Sequence, residues 1–296
     1  MDFSTPTFLF LFLPLFLTVY WLSERRLRVY VLLAASLLFL AWGQAIALAW
    51  LGAAFALTYV FGLLAERGRG RLPWLWAGIL ANLALLAFFK WVPLYGLAWL
   101  PLNWSDAARG LAVPLGLSYF AFQAISYLVD TWRGTIPAER NPARLALYLL
   151  FFPKLVSGPL VRFKPFAEQL NDLNPSAEQI AGGIRRLLAG FIKRALIANQ
   201  LAIFVDAAFN QPTANLEPHF AWLALIAYAL QLYFDFSGYT DMALGLAAMA
   251  GIKLPENFNL PYIAESISDF WRRWHISLST WFREYVFFPL ERRRLP

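Results

Sequence analysis

Thirty-seven consecutive residues, 29–65, carry no charged side chain. As one α-helix that run would measure about 55 Å at 1.5 Å per residue, far more than the roughly 30 Å hydrocarbon core of a bilayer. A hairpin near Trp42-Gly43-Gln44 divides it into two spanning helices whose outer ends share one side of the membrane. The flanking charges say which side. Glu24-Arg25-Arg26-Leu27-Arg28 precedes the run and Glu66-Arg67-Gly68-Arg69-Gly70-Arg71 follows it, and Arg-rich loops stay cytoplasmic.

The other apolar segments fit the same topology. Residues 3–22 are uncharged and long enough to span. They lack a basic segment before them and have one after, the reverse of a cleaved signal, so they read as a retained span, with a kink at Pro14. Residues 72–89 span outward, with Lys90 snorkelling to the far interface. Residues 93–109 form a polar-aromatic outer segment. Residues 110–129 return inward and end at Asp130-Thr131-Trp132-Arg133.

Composition narrows the class further. Of 296 residues 60% are hydrophobic, 18% aromatic and only 15% charged, against roughly 25% charged in an average soluble domain. So much apolar surface excludes a soluble enzyme, a disordered tail and a secreted disulfide scaffold. With no Cys there is no thiol nucleophile, acyl-cysteine or thiolate metal site, and His219 and His275 are too few for a three-histidine zinc site. No metal is expected. The net charge of +7 reads as cytoplasmic retention charge, and no nucleic-acid partner is expected.

The chain is expected to be one all-α, polytopic membrane domain over 1–296 with two unlike halves. Residues 1–134 hold 14 charges and 135–296 hold 29. In the second half the apolar runs are short: 145–153, 195–205, 218–234 and 242–252. Charges among such runs are costly unless they face a cavity or a partner. The first half reads as a lipid-facing scaffold and the second as the working half.

Five segments of the working half can carry chemistry. In 151–164, Pro153, Gly158 and Pro159 prevent a clean spanning helix, which predicts a broken or re-entrant segment lining water. Its cations Lys154, Arg162 and Lys164 either contact an anionic ligand or snorkel to headgroups. In 184–205, Arg185, Arg186, Lys193 and Arg194 predict a basic amphipathic helix lying on the anionic leaflet. In 231–241, Gln231 and Asp235 share a face, Gly238 can break the helix, and Asp241 opens the next segment. Those carboxylates need cations, with Arg272, Arg273 and Arg283 as candidates. Asn257, between Pro255 and Pro261, contacts either substrate or loose main-chain groups.

The densest segment is 266–284. Read as one helix capped by Ser266 or Ser268, it lines up Trp271, His275, Leu278 and Phe282 on one face, with Ser279 able to reach the His275 ring. Asp269 pairs with Arg272 or Arg273. One titratable base among water-excluding aromatics suits general-base activation of a hydroxyl, or transfer from a thioester. A buried structural histidine is the alternative. His219, in a loop, reads as a bystander.

Taken together, Tyr233-Phe234-Asp235-Phe236-Ser237-Gly238-Tyr239-Thr240-Asp241-Met242-Ala243, Glu256-Asn257-Phe258-Asn259-Leu260-Pro261-Tyr262 and Phe270-Trp271-Arg272-Arg273-Trp274-His275-Ile276-Ser277-Leu278-Ser279 resemble the membrane-bound O-acyltransferase family, nearest to its bacterial alginate-acetylating branch. The resemblance covers essentially the whole chain. It implies a many-helix inner-membrane bundle around a central funnel. An acyl group, acetyl in this branch, passes from a cytoplasmic donor, acetyl-CoA or another acyl thioester, to hydroxyls of a cell-surface polysaccharide. A periplasmic acetyltransferase partner is expected to complete the transfer, and no bound cofactor is expected. The resemblance makes His275 the acid/base or acyl-handling residue. Asp235, Asp241, Arg272 and Arg273 are expected as supports rather than chemical actors, and Asn257 as a polar contact.

Family members carry a second histidine in a later Trp-His pair, which 1–296 does not contain. The expectation is a C-terminally truncated member, either a fragment or a shortened product, and inactivity is one reading of it. The rival functions are transfer of D-alanine to teichoic acid by a related enzyme and substrate transport through broken helices.

Overall fold

The computed structural model describes residues 2–42, 45–66, 69–95, 113–212 and 217–291, and the regular elements among them are helical. The N-terminal half contributes α1 (Phe8–Leu22), α2 (Arg28–Ala41), α3 (Ala45–Ala65), α4 (Leu72–Tyr95) and α5 (Leu117–Arg133). The uncharged run therefore splits where expected, although Gly43 and Gln44 themselves lie outside the described residues, as does most of the expected outer segment 93–109. The split is uneven. At 14 residues α2 falls short of the roughly 20 needed to cross. At Pro14, which has no N–H to give, the helix widens into a π turn over Phe8–Phe12.

Among the described residues, four segments are long and apolar enough to cross a membrane: Leu48–Ala65, Leu72–Trp91, Ala177–Phe209 and Pro218–Met249. The last two, here α9 and α10, correct the sequence reading. The segment 184–205 belongs to a 33-residue helix apolar enough to cross a membrane, and Gly238 sits inside an unbroken 32-residue helix rather than at a break. α9 starts on a capping box, Ser176 Oγ accepting from Gln179 N at 3.1 Å while Gln179 Oε1 accepts from Ser176 N at 2.9 Å. The outer flank of α10 exposes Trp222, Leu223 and Ile226, a surface that lipid covers without cost.

Small residues bring α9 and α10 together. A Cβ on Gly238 would lie 2.8 Å from Gly190 O, and one on Gly183 would lie 2.7 Å from Gly245 O, so the two backbones touch. Close contact also puts the cations of α9 on the carboxylates of α10. Arg186 Nε and Lys193 Nζ donate to the buried Asp241 at 2.8 and 2.6 Å, and Arg194 Nε donates to Asp235 at 3.0 Å. Arg194 also holds Asp2 at 2.7 Å, and Arg186 holds Glu256 at 2.6 Å. The partners of Asp235 and Asp241 are thus upstream, not Arg272, Arg273 or Arg283. Asp241 lies within α10 rather than at a helix start. Such matched charges make two long helices tolerable in lipid.

Between α5 and α9 the chain is broken, as expected for 151–164. Short helices α6 (Pro142–Leu150), α7 (Phe152–Leu155) and α8 (Phe163–Gln169) alternate with irregular backbone. Phe151–Leu155 and Gly158–Val161 are buried in protein, which is what irregular backbone at membrane depth requires. The aromatic core lies beside this break, where Phe3, Phe8, Phe39 and Phe152 are fully enclosed. Two further short helices, α11 (Ile267–Arg273) and α12 (Ile276–Phe282), follow. α12 runs on through a π turn at Arg283–Phe287.

Candidate active site

The segment 266–284 is two helices, and His275 is the joint between them. Its backbone is left-handed, φ 45° and ψ 53°, so the chain turns sharply between α11 and α12. A non-glycine residue held there is uncommon and needs support from its surroundings. That support comes from the loop 252–260. Asn257 O accepts from Ile276 N at 3.0 Å and Asn257 Oδ1 accepts from Ser277 N at 3.0 Å. These bonds satisfy the first free N–H groups of α12 from outside, the work a helix cap does. Ser277 Oγ in turn accepts from Leu160 N at 2.9 Å, tying the joint to the broken segment. Asn257 is fully buried and is placed as a brace. Its Nδ2 has no partner among the described residues.

The break also overturns the expected common face. His275 is 7% exposed, whereas Trp271 is 52% exposed. Ser279 meets His275 through the main chain, its N–H donating to His275 O at 3.1 Å. Arg272 and Arg273 pair with Asp269 at 3.6 and 2.8 Å, as the i+3 and i+4 spacing predicted, under a cap from Ser266 Oγ. Arg273 also joins α11 to the bracing loop, Asn259 N donating to Arg273 O at 2.9 Å.

The imidazole packs edge-on against Phe236, with ring centroids 4.9 Å apart. Behind it, Trp274 is enclosed by Phe258 at 5.1 Å and Phe270 at 5.6 Å. Burial in this apolar setting pulls the His275 pKa down to about 4, because desolvation penalises the charged ring. The imidazole is therefore neutral at pH 7 and able to accept a proton. Tyr119 Oη on α5 approaches Nε2 at 3.5 Å, and Nδ1 has no partner among the described residues.

α12 and the π turn that extends it lie against α5. Trp281 Nε1 donates to Phe122 O at 2.9 Å, and Tyr285 Oη donates to Asp130 Oδ2 at 2.7 Å. Two cavities follow this seam. The inner one, about 140 Å³, is lined by Gln123, Ser126, Leu160, Ile276, Ser277 and Trp281. The outer one, about 690 Å³, is lined by Asp130, Arg133, Arg162, Lys164, Glu284 and Tyr285. They meet at the ion pair of Arg162 with Glu284, two residues that line both.

Of the cations in 151–164, Arg162 and Lys164 thus line a charged chamber, whereas Lys154 does not. Its amine is fully buried, donates to Gln123 Oε1 and Tyr148 O, and lies 4.3 Å from the centre of the Tyr148 ring. A long flexible side chain next to Pro153 reads as a surface cation in sequence, but here it is folded inward onto α5. Asp235 and Asp241 are salt-bridged to α9. His219 is exposed beside Glu217.

Sequence reasoning passed over Tyr119, Gln123 and Ser126. Their signal was available, since three polar residues recur at helical spacing along an otherwise apolar stretch.

The membrane-bound O-acyltransferase family profile matches residues 136–295. Over 98% of its length the chain is 41% identical to the protein named probable alginate O-acetylase in Azotobacter vinelandii, covering 60% of that protein. It is 34% identical, over 99% of its length, to the peptidoglycan O-acetyltransferase of Helicobacter pylori, covering 62%. It is 35% identical, over 58% of its length, to the teichoic acid D-alanyltransferase of Bacillus subtilis, covering 44%. The chain thus spans about 60% of the length of the first of these relatives.

Proposed function

Because the chain belongs to the membrane-bound O-acyltransferase family, we propose that it moves an acetyl group from a cytoplasmic thioester to hydroxyls of a cell-surface polysaccharide of the alginate type. The observation that carries this reading is the His275 joint: a buried neutral imidazole whose Nδ1 has no partner among the described residues, directly before Ile276 and Ser277, which line the inner cavity of the α5–α12 seam. A neutral base can take the proton of an attacking hydroxyl as it forms a bond to the thioester carbon, and can return it to the departing thiolate. Phe236 and the Trp274 cluster keep water out, which protects the thioester from hydrolysis.

The outer chamber is on the side where α5 ends in Arg133, the side that the Arg-rich loops assign to the cytoplasm. A donor entering there suits placement in the bacterial inner membrane, with the acceptor or a periplasmic acetyltransferase partner on the opposite face. Acetyl transfer is favoured over D-alanyl transfer by extent of match. The alginate and peptidoglycan relatives align with nearly the whole chain and the teichoic acid relative with little over half.

Inverted membrane vesicles that contain the protein and enclose an alginate acceptor with its periplasmic partner, given acetyl-CoA labelled in the acetyl group from outside, test the proposal. The expected result is base-labile label on the polymer. Label that stays in acetyl-CoA while a D-alanyl carrier donates instead would overturn it.

A further inference from the structure

The inner and outer cavities of the seam are two spaces rather than one, and an ion pair stands where they meet. Arg162 and Glu284 each line both cavities and hold each other. Tyr285 also lines both, but its hydroxyl is fixed to Asp130 Oδ2 at 2.7 Å. A route from the outer chamber, about 690 Å³, into the inner cavity, about 140 Å³, therefore runs past Arg162 and Glu284.

The inner cavity has a second charged rim at Glu256, and the two rims are held with unequal firmness. Glu256 pairs with Arg186, which is itself anchored, together with Lys193, on the buried Asp241. Opening that rim disturbs the whole ion-pair network between α9 and α10. Arg162 and Glu284 have no other ion-pair partner among the described residues, and their side chains are 49% and 25% exposed. Water already reaches both groups, so parting them costs little. The backbone beneath them is irregular on both sides. Glu284 sits in the π turn Arg283–Phe287, and Arg162 is the extended residue before α8. Widened turns of this kind recur at functional sites. Asp130, on the outer wall, is within electrostatic reach of Arg162 and gives only Oδ2 to Tyr285. A guanidinium that leaves Glu284 thus still faces a carboxylate, which gives Arg162 two paired arrangements.

We infer that the Arg162–Glu284 ion pair is a gate: closed, it separates the inner cavity at Ile276 and Ser277 from the outer chamber, and it opens when Arg162 swings away from Glu284. The gate controls access to the site proposed above and does not depend on which donor or acyl group uses it.

The 296 residues contain no cysteine, so Thr280→Cys places one reporter thiol in the inner cavity wall. The full protein in nanodiscs is labelled with sulfonatoethyl and with trimethylammonioethyl methanethiosulfonate, one anionic and one cationic, and the rate at that thiol is read by mass spectrometry. Glu284→Gln and Arg162→Gln shift the local charge in opposite directions but break the same pair. Each is expected to speed labelling by both reagents about fivefold or more. The swap Arg162→Glu with Glu284→Arg is expected to return both rates to within about twofold of the starting values. Unchanged rates in the single variants would overturn the gate. So would rates that rise with one reagent and fall with the other, because only the charge of the wall would then have changed. Ser126→Cys, on the α5 wall of the same cavity, is the reporter if Thr280→Cys does not fold. A thiol that neither reagent reaches in any variant would also overturn the inference. None of these rates involves acyl transfer, so a failure of the acetyl-transfer reading is seen separately.

Discussion

Asn257 Oδ1 accepts a hydrogen bond from Ser277 N at 3.0 Å, and this contact fixes the turn that buries His275. Together with the bond from Ile276 N to Asn257 O, it lets a non-glycine residue stay left-handed at a helix start. Asn257→Ala removes the side-chain acceptor and leaves a buried N–H unmet. The expected cost is about 1–2 kcal/mol, read as a lower thermal midpoint in detergent. Acetyl transfer should fall with it although His275 is intact. Asn257→Asp, which keeps an acceptor, should retain more transfer activity than the alanine variant.

The contact between α9 and α10 leaves no room for side chains at its glycines. A methyl group at Gly238 would meet Gly190 O at 2.8 Å and Lys193 Cβ at 3.1 Å. Gly238→Ala should therefore destabilise by about 1–3 kcal/mol, whereas Gly182→Ala, at a glycine with open space around it, should be neutral or slightly stabilising. Paired melting curves of the two variants check this.

Asp241 is the shared anion of that same contact. Asp241→Asn keeps the shape but leaves Lys193 without its carboxylate and Arg186 with Glu256 alone. Both cations are partly exposed, so the loss is expected near about 2 kcal/mol rather than the full value for a sealed pair. The corresponding change at the half-exposed Asp235 should cost less. Comparing the unfolding midpoints of the two variants distinguishes them.

The buried imidazole gives the reaction and the fold a common pH signature. His275 titrates near 4 when folded and near about 6.5 when unfolded. Between those values the unfolded chain binds the extra proton, so the stability contribution is complete above about 6.5 and is lost as pH falls toward 4. Rate should follow the neutral ring. The acid limb of a single-turnover pH profile is expected to inflect well below 6, closer to 4, and an inflection at 6.5 would mean a solvated histidine does the chemistry.

Much of the architecture was legible in the sequence because lipid imposes simple rules. The uncharged run 29–65 required a split, and the structure ends α2 at Ala41 and begins α3 at Ala45. Pro153, Gly158 and Pro159 required irregular backbone in 151–164. What was not legible depended on partners far along the chain. Arg186 and Lys193 look like a basic surface until Asp241, some 50 residues away, is packed against them. Gly238 looks like a helix breaker until Gly190 explains it as a contact point. Periodicity placed His275 within one helix, because the bonds from Asn257 that bend the chain there come from another loop. Lys154 read as either a ligand contact or a cation snorkelling to headgroups for the same reason: nothing local shows that Gln123 receives it.

The central claim is that His275 is the proton-handling residue of acyl transfer. Its most direct test is the O-acetyl content of surface polysaccharide, measured by proton NMR in cells whose only copy carries His275→Gln, with membrane insertion checked by protease protection. Insertion is expected to match wild type while acetylation falls by about a hundredfold or more. Normal acetylation by a correctly inserted His275→Gln protein would contradict the account.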